Sequence, residues 1–261
     1  MAQAHTISTL KETFGFPFRS PDWQGRFLVG SALLILSFVI PFLPAIFVYG
    51  YVLGIMRQAI EGRPLSLPAW EDWGRFWKDG WRVFLVGLVF VAPGVALLCG
   101  GTALYFVGSV SLPLLGTSGG DLGGAAVALF LLSFAIFFLS LFAGSLLAVL
   151  GVIPFPFAAA HLAAQDSLGA AFHTGEWWPA LRRSKVEYFI AWVIVFGLFG
   201  IAYLATLLAY YSLVLCLLVP VLAAPLGFYA SLVAGALFGE TYREGMTTRS
   251  SRRKVAAKKA R

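Results

Sequence analysis

The feature that most constrains this chain is a long stretch without charge. Residues 188–239 contain no Asp, Glu, Lys or Arg. A helix that crosses a bilayer needs about 20 apolar residues. The stretch is therefore long enough for two crossings, joined by a minimal turn near Tyr211 and Ser212. An integral membrane protein is the class that this pattern predicts.

The composition points the same way. Charged residues make up 12% of the 261 residues, hydrophobic residues make up 59%, and the mean hydropathy is +0.84. A soluble domain carries about 25% charged residues. Too few charges are present to cover a surface that faces water, so a soluble enzyme, a disordered chain and a nucleic-acid-binding domain are excluded as first interpretations.

An all-α bundle of about six transmembrane helices is the predicted fold, in one membrane domain over residues 1–246. The first apolar stretch, 27–60, is too long for one span and is interrupted by Pro41 and Pro44. It is either one kinked helix or a hairpin of two short helices, and basic residues on both flanks favour the hairpin. The predicted spans are about 23–41, 44–60, 82–107, 125–153, 187–210 and 213–239.

The distribution of Lys and Arg predicts the topology. Cytoplasmic loops are enriched in these residues. Basic residues gather in 57–82 and 161–187, whereas the loop 108–124 has none. We therefore predict a multi-pass protein of the cell membrane with both termini in the cytoplasm and residues 108–124 outside.

A basic tail ends the chain. The formal net charge of +7 comes from this segment, residues 247–261, which we predict to be disordered in isolation and to bind anionic lipids electrostatically. The residues predicted to contact lipid headgroups are Arg249, Arg252, Arg253, Lys254, Lys258, Lys259 and Arg261.

Amphipathic helices on the cytoplasmic side are predicted in two places. Read as a helix, residues 67–82 place their tryptophans in one arc and their charged residues opposite, which is typical of a helix lying in the interface plane. Residues 5–16 show the same pattern more weakly. These helices anchor the spans or present a docking surface for a partner or a lipid. The predicted interface residues are Trp70, Trp73, Trp77 and Trp81.

Small residues recur at helical spacing on two spans. Such stripes let helix backbones approach closely. Packing within the chain is the favoured use, and a seam between two copies is the alternative. The predicted helix-packing residues are Gly50, Gly54, Gly227, Ser231, Gly235 and Gly239.

A search for catalytic motifs finds no P-loop, no GxSxG and no dinucleotide fingerprint. We predict no cofactor, no metal site and no enzyme activity. The predicted spans lack ionisable residues in the hydrocarbon core, which argues against a proton-coupled carrier. A membrane enzyme acting on lipids would need one cytoplasmic loop to bring together His161, Asp166, His173 and Glu176.

The run 50–90 resembles an uncharacterised membrane family, domain of unknown function 4013. The residues that carry the resemblance are Gly50-Tyr51, Arg57, Leu67-Pro68-Ala69-Trp70, Asp72-Trp73-Gly74 and Gly80, with PDW at 21–23 and YREG at 242–245. The match is expected to cover about 15–245, with the basic tail as an addition. The resemblance implies a bacterial or archaeal multi-pass protein, placed in the inner membrane, with no established activity.

A non-catalytic membrane protein is therefore the expected function, as an accessory subunit or a scaffold at the lipid interface. The expected partners are the bilayer, anionic lipids and other membrane proteins or a second copy, but no nucleic acid. The alternative is a passive channel or transporter for a small solute or lipid. Its polar path would be lined by Ser37, Thr102, Ser133, Ser140, Ser145 and Thr206.

Overall fold

A computed structural model describes residues 2–116, 123–212 and 218–259. Over these residues the chain forms α-helices and the 3-10 helix Leu168–Phe172, and it contains no strand. The predicted all-α fold class is confirmed. The helices are α1 Ala2–Arg19, α2 Trp23–Leu36, α3 Leu43–Glu61, α4 Trp73–Gly116, α5 Gly123–Val152, α6 Phe155–Gln165, α7 Thr174–Arg183, α8 Lys185–Tyr211 and α9 Val219–Lys259.

Five of the helical segments are long and apolar enough to cross a membrane. They are Leu43–Glu61, Trp73–Val110, Val127–Gln165, Lys185–Tyr211 and Val219–Thr247. The predicted first span is shorter than expected, because α2 has 14 residues. At 1.5 Å per residue that is about 21 Å, less than the hydrocarbon core of about 30 Å.

The first apolar stretch is two helices and not one kinked helix. Helix α2 ends at Leu36 and α3 begins at Leu43. Pro44 lies in the first turn of α3, where its missing N–H would be unpaired in any case. Phe42 precedes it with a φ of 70°, a value that a helix does not allow. The backbone around the two prolines therefore ends one helix and starts the next.

The predicted interfacial helix at 67–82 is not a separate element. The segment before Trp73 is extended, and α4 runs from Trp73 to Gly116 without ending near residue 82. Asp72 starts this helix, because its Oδ1 accepts the Arg75 N–H at 3.0 Å, as an N-cap residue does.

Side chains from other helices hold the segment before Trp73 in its extended form. The Leu67 N–H donates to Ser20 Oγ at 2.8 Å, and the Ser66 N–H donates to Gln58 Oε1 at 3.0 Å. The Tyr51 hydroxyl donates to the Pro68 carbonyl at 2.9 Å. These bonds take the place of hydrogen bonds within a helix. Helical periodicity alone therefore predicted a helix start at residue 67, whereas α4 begins at Trp73.

The contacts within the chain form two compact units. The single membrane domain over 1–246 stays a prediction. Unit 1 comprises Met1–Phe84 and Phe157–Arg261, and unit 2 comprises Leu85–Pro156. Helix α9 lies at the centre of unit 1 and packs against α1, α2, α3, α7 and α8. The buried core of unit 1 contains Phe16, Val48, Tyr51, Ile55, Leu67, Phe76, Phe228, Leu232 and Ala236.

The amphipathic segment predicted at 5–16 is part of a longer helix, Ala2–Arg19. It buries Phe16 in the core of unit 1, and its Thr13 donates a hydrogen bond to Glu240 Oε1 of α9 at 3.4 Å. Helix α1 is therefore packed on protein along this face.

Unit 2 is a pair of helices packed through glycines. Gly94, Gly101 and Gly108 of α4 recur every seven residues. A Cβ on Gly101 would lie 2.2 Å from Ser140 Cβ of α5, and one on Gly108 would lie 2.4 Å from Ser133 Oγ. A period of seven keeps one seam facing the partner helix, and glycine lets the two backbones come close.

Replacing Gly101 with alanine is expected to destabilise unit 2 by about 1–3 kcal/mol, because the new methyl group must displace Ser140. The neighbouring Gly100 is the matched control, since no described atom lies within 4 Å of its Cβ position. Gly100→Ala should be neutral or stabilising by up to about 1 kcal/mol. Hydrogen exchange of unit 2 peptides in detergent would measure both, and equal effects would contradict this packing.

Helix α9 continues to Lys259, so the backbone of most of the predicted tail 247–261 is helical in the structure. The predicted disorder concerned the isolated tail and stays a prediction. The side chains of the seven basic residues named above lie outside the described part of the chain.

Candidate functional site

An ionic cluster joins three helical segments of unit 1. It consists of Arg57 from α3, Asp79 and Arg82 from the start of α4, and Asp166 just after α6. Arg57 Nη1 lies 3.1 Å from Asp79 Oδ2, and Arg57 Nη2 lies 3.4 Å from Asp166 Oδ1. Arg82 Nη1 lies 3.0 Å from Asp166 Oδ1 and 3.5 Å from Asp79 Oδ1. Each arginine thus bridges both carboxylates.

The centre of this cluster is buried. Arg57 is 9% exposed and Asp79 is 3% exposed. The remaining donor of Arg57, Nε, bonds the Ala163 carbonyl of α6 at 3.2 Å. Buried charges are tolerated when they are paired and their other polar atoms are hydrogen-bonded. The cluster meets both conditions and fixes α3, α4 and α6 to one another.

Asp166 reaches the cluster through an unusual backbone conformation. Its φ is 49°, in the left-handed region that Asp tolerates better than most residues. This residue ends the helical course of α6, and its side chain is 71% exposed. The cluster therefore extends from a buried pair, Arg57 and Asp79, to the protein surface.

A second polar cluster is formed around His161. This imidazole is fully buried, and its Nδ1 lies 2.6 Å from the Tyr242 hydroxyl of α9. Its Nε2 lies 3.2 Å from Glu176 Oε2 of α7. Tyr242 is buried, whereas the Glu176 side chain is 57% exposed. The histidine cluster, His161 with Tyr242 and Glu176, therefore links α6 to α7 and α9.

The four loop residues that a lipid enzyme would need do not come together in one site. His161 and Glu176 belong to the histidine cluster, and Asp166 belongs to the ionic cluster. His173 is exposed at the start of α7. Across the described residues, no three His, Cys, Asp or Glu side chains are placed to hold a metal ion.

Three of the four predicted interface tryptophans pack against aromatic side chains of α3. Trp70 is packed inward, stacked on Tyr51 at 4.2 Å, with its Nε1 donating to the Arg26 carbonyl at 2.8 Å. The rings of Trp73 and Trp77 contact Phe47 at 5.4 and 5.2 Å.

Trp81 continues the same aromatic row, with its ring 5.6 Å from that of Trp77. Trp70 packs partly buried against the core of unit 1, and contact of the four tryptophans with a membrane interface stays a prediction.

The predicted small-residue stripes are used in part for packing inside unit 1. A Cβ on Gly50 would lie 1.9 Å from the Phe76 carbonyl oxygen, and one on Gly239 would lie 2.7 Å from the Met56 carbonyl oxygen. Gly235 similarly approaches Val52 of α3. In contrast, no described atom lies within 4 Å of the Cβ positions of Gly54 and Gly227. Ser231 is half-buried, and its hydroxyl donates to the Gly227 carbonyl at 2.7 Å.

The hydroxyls proposed to line a polar path bond to their own helices. Thr102 Oγ1 donates to the Leu98 carbonyl at 2.8 Å, and Thr206 Oγ1 donates to the Ala202 carbonyl at 2.7 Å. Ser133 and Ser140 are buried against the glycines of α4. The same intrahelical bond is made by Ser37, Ser133 and Ser140, with Leu33, Phe130 and Ile136 respectively, while Ser145 is exposed.

Sequence reasoning missed the ionic cluster, the Tyr242 contact of the histidine cluster and the glycine heptad. The heptad had a readable signal, the spacing of Gly94, Gly101 and Gly108. The ionic cluster had a weaker signal in the sequence. Arg57 stands at the end of an apolar span, and Asp79 stands among tryptophans. Their pairing is tertiary, because Arg57 and Asp166 are 109 residues apart.

Comparison with known families supports the resemblance for the run 50–90, whereas PDW at 21–23 and YREG at 242–245 lie outside the matched residues. The model described as Protein of unknown function (DUF4013) matches residues 33–211, which is more than half of the chain but less than the 15–245 expected. No curated protein and no solved structure gives a significant match. The matched range includes Gly50, Tyr51, Arg57 and Trp70, which lie at the core and the ionic cluster of unit 1. The chain therefore belongs to the DUF4013 family of proteins of unknown function.

Proposed function

We propose that this protein is a non-catalytic, multi-pass membrane protein that acts as an accessory subunit or scaffold at the lipid interface. The observation that supports this is the division of polar and apolar groups. Buried polar side chains such as Asp79, His161 and Ser140 bond within the protein, in the two clusters or back to their own helix. The outward residues of unit 2 are large and apolar, as Phe106, Leu139 and Phe142 illustrate at 63%, 68% and 73% exposure.

The accessory role requires a protein partner on this apolar surface. A photo-crosslinking amino acid at Phe106, Leu139 or Phe142, in the native membrane, should capture one distinct membrane protein. The same amino acid at the buried Val86 is the control and should capture none. Capture of lipid alone from all three exposed positions would contradict the accessory role.

A transport role is tested separately. The intrahelical hydroxyl bonds do not favour a polar path, so purified protein in vesicles should not increase the exchange of small neutral solutes. Exchange that depends on the protein, and that falls when Thr102 or Ser140 is replaced by valine or alanine, would favour a passive transporter instead.

We further propose that both termini lie in the cytoplasm of a prokaryotic cell. Five crossings alone would place the termini on opposite sides, so this topology requires α2 to cross together with α3. Single cysteines at positions 3, 118 and 260, in a Cys99→Ala and Cys216→Ala background, would test it with a membrane-impermeant label. We expect labelling of 118 only from outside and of the other two only from inside. Labelling of position 3 from outside would show that α2 does not cross.

The basic tail is proposed to bind anionic membranes. A peptide of residues 247–261 should bind vesicles containing anionic lipid, at about 1 kcal/mol per Lys or Arg near the surface. Binding should weaken as salt shortens the screening length from about 10 Å at 0.1 M to about 3 Å at 1 M. A peptide with the seven basic residues replaced by glutamine is the control. Equal binding to neutral vesicles, or binding that ignores salt, would contradict the proposal.

A further inference from the structure

A small cavity lies where α7, α8 and α9 meet in unit 1. Its volume is about 260 Å³. It is lined by Arg183, Ser184, Glu187, Glu244, Gly245 and Thr247. A Cβ on Gly245 would lie 2.9 Å from the Ala180 carbonyl oxygen of α7, so α9 passes close to α7 at this point. Clefts that bind drug-sized ligands have volumes of about 300–1,000 Å³. The cavity therefore suits a smaller group.

The charges that line the cavity are of both signs. Arg183 supplies a guanidinium, and Glu187 and Glu244 supply two carboxylates, all three on exposed side chains. The hydroxyls donate to backbone, Ser184 to the Ala180 carbonyl at 3.1 Å and Thr247 to the Arg243 carbonyl at 3.0 Å. The charged groups of the lining are thus one cation and two carboxylates, which fit a group that carries both a negative and a positive charge.

The position of the cavity indicates that its ligand also has an apolar part. It lies at the start of α8, the candidate span Lys185–Tyr211. The exposed side chains that follow along this helix are apolar: Val186 at 58%, Phe189 at 67% and Ile190 at 46%. A ligand with a zwitterionic head in the cavity would lay an alkyl chain along these residues.

We propose that this cavity binds the headgroup of an ethanolamine phospholipid. Arg183 binds the phosphate, because guanidinium forms charge-assisted hydrogen bonds with phosphate oxygens. Glu187 and Glu244 bind the primary ammonium, which has three N–H donors. A choline headgroup has no N–H to donate, and a glycerol headgroup brings no positive charge to the two carboxylates. This inference rests on α8 spanning a bilayer and not on the accessory role.

Native mass spectrometry of the full-length protein, titrated with dioleoyl lipids, would test the proposal. The ethanolamine lipid should bind about three- to tenfold more tightly than the choline or glycerol lipid, as expected for solvent-exposed charge-assisted bonds. The double variant Glu187→Gln/Glu244→Gln should lower ethanolamine binding to the level of choline. Arg183→Gln should weaken ethanolamine and choline lipids alike.

Two controls separate this site from general charge effects. Glu71→Gln removes an exposed carboxylate from another part of unit 1, and Arg182→Gln removes the neighbouring arginine, which lies 5.6 Å from the Trp178 ring centre. Both should leave the lipid preference unchanged. Soluble phosphoethanolamine, which lacks the alkyl chain, should compete at least tenfold less well than the lipid.

Several results would overturn the proposal. They are equal binding of the three lipids, a preference that survives the double glutamine change, and competition by soluble phosphoethanolamine as strong as by the lipid. A preference for the glycerol lipid would identify an anionic-lipid site instead. None of these bears on partner capture at Phe106, so this inference and the accessory role can fail independently.

Discussion

Replacing Asp79 with asparagine is expected to lower the free energy of unfolding by about 3–5 kcal/mol. The change keeps the shape of the side chain and removes its charge, so the 9% exposed Arg57 loses its buried counter-ion. Removing one partner of a buried ion pair is costly because the other charge loses most of its compensation. Arg57 keeps only Asp166 as a carboxylate partner, at 3.4 Å, and that side chain is 71% exposed. Thermal unfolding of the purified protein in a mild detergent would measure the loss.

Asp166→Asn is the matched control for Asp79→Asn. It removes a carboxylate from the same cluster, but one whose side chain is 71% exposed, and both arginines keep Asp79 as a partner. The expected cost is below about 1 kcal/mol. The double change Arg57→Met/Asp79→Leu should recover most of the stability lost in Asp79→Asn. If Asp79→Asn and Asp166→Asn cost the same, the buried pair does not stabilise the fold as proposed.

Replacing Gly50 with alanine is expected to cost about 3 kcal/mol or more. The new Cβ would lie 1.9 Å from the Phe76 carbonyl oxygen, and backbone yields less readily than a flexible side chain. Overpacking a core commonly costs about 1–3 kcal/mol even where side chains can move. The same unfolding measurement would detect the effect as a large fall in melting temperature.

Gly54 is the matched control for Gly50, one helical turn further along α3. No described atom lies within 4 Å of its Cβ position, so Gly54→Ala should stabilise the helix by about 0.5–1 kcal/mol. The pair therefore predicts effects of opposite sign within one GxxxG motif. Equal effects would mean that α3 does not cross α4 at Gly50.

The sequence was informative wherever one local property decided the outcome. The two prolines predicted an interruption of the first apolar stretch, since proline limits the backbone in any surroundings. The basic residues on both flanks then favoured two helices, which are α2 and α3. The uncharged stretch 188–239 likewise predicted two long apolar helices, which are α8 and most of the apolar part of α9. An apolar membrane helix can be predicted from hydropathy because the signal lies in the residues of that helix alone.

The predictions that failed needed contacts between distant residues. Residues 67–72 have the periodicity of a helix, but bonds from Ser20 and Tyr51 hold the backbone extended. The same helical periodicity predicted Trp70 at the lipid interface. In the structure its indole N–H bonds the Arg26 carbonyl. The periodicity of one segment contains no information about neighbouring helices. The extended backbone at 67–72 and the bond from Trp70 to Arg26 therefore could not be predicted from it.

The central place of α9 in unit 1 has a consequence for the order of events during synthesis. Phe228 and Leu232 complete a core to which Leu67 also belongs, so the ribosome adds them more than 150 residues later. At 5–20 residues per second, the delay is roughly 8–30 seconds. During that time Tyr51 and Phe76 have no α9 to cover them, whereas the continuous segment Leu85–Pro156 can pair its glycine seam at once. A nascent chain arrested before residue 219 should therefore expose its early helices to proteases or to other membrane helices.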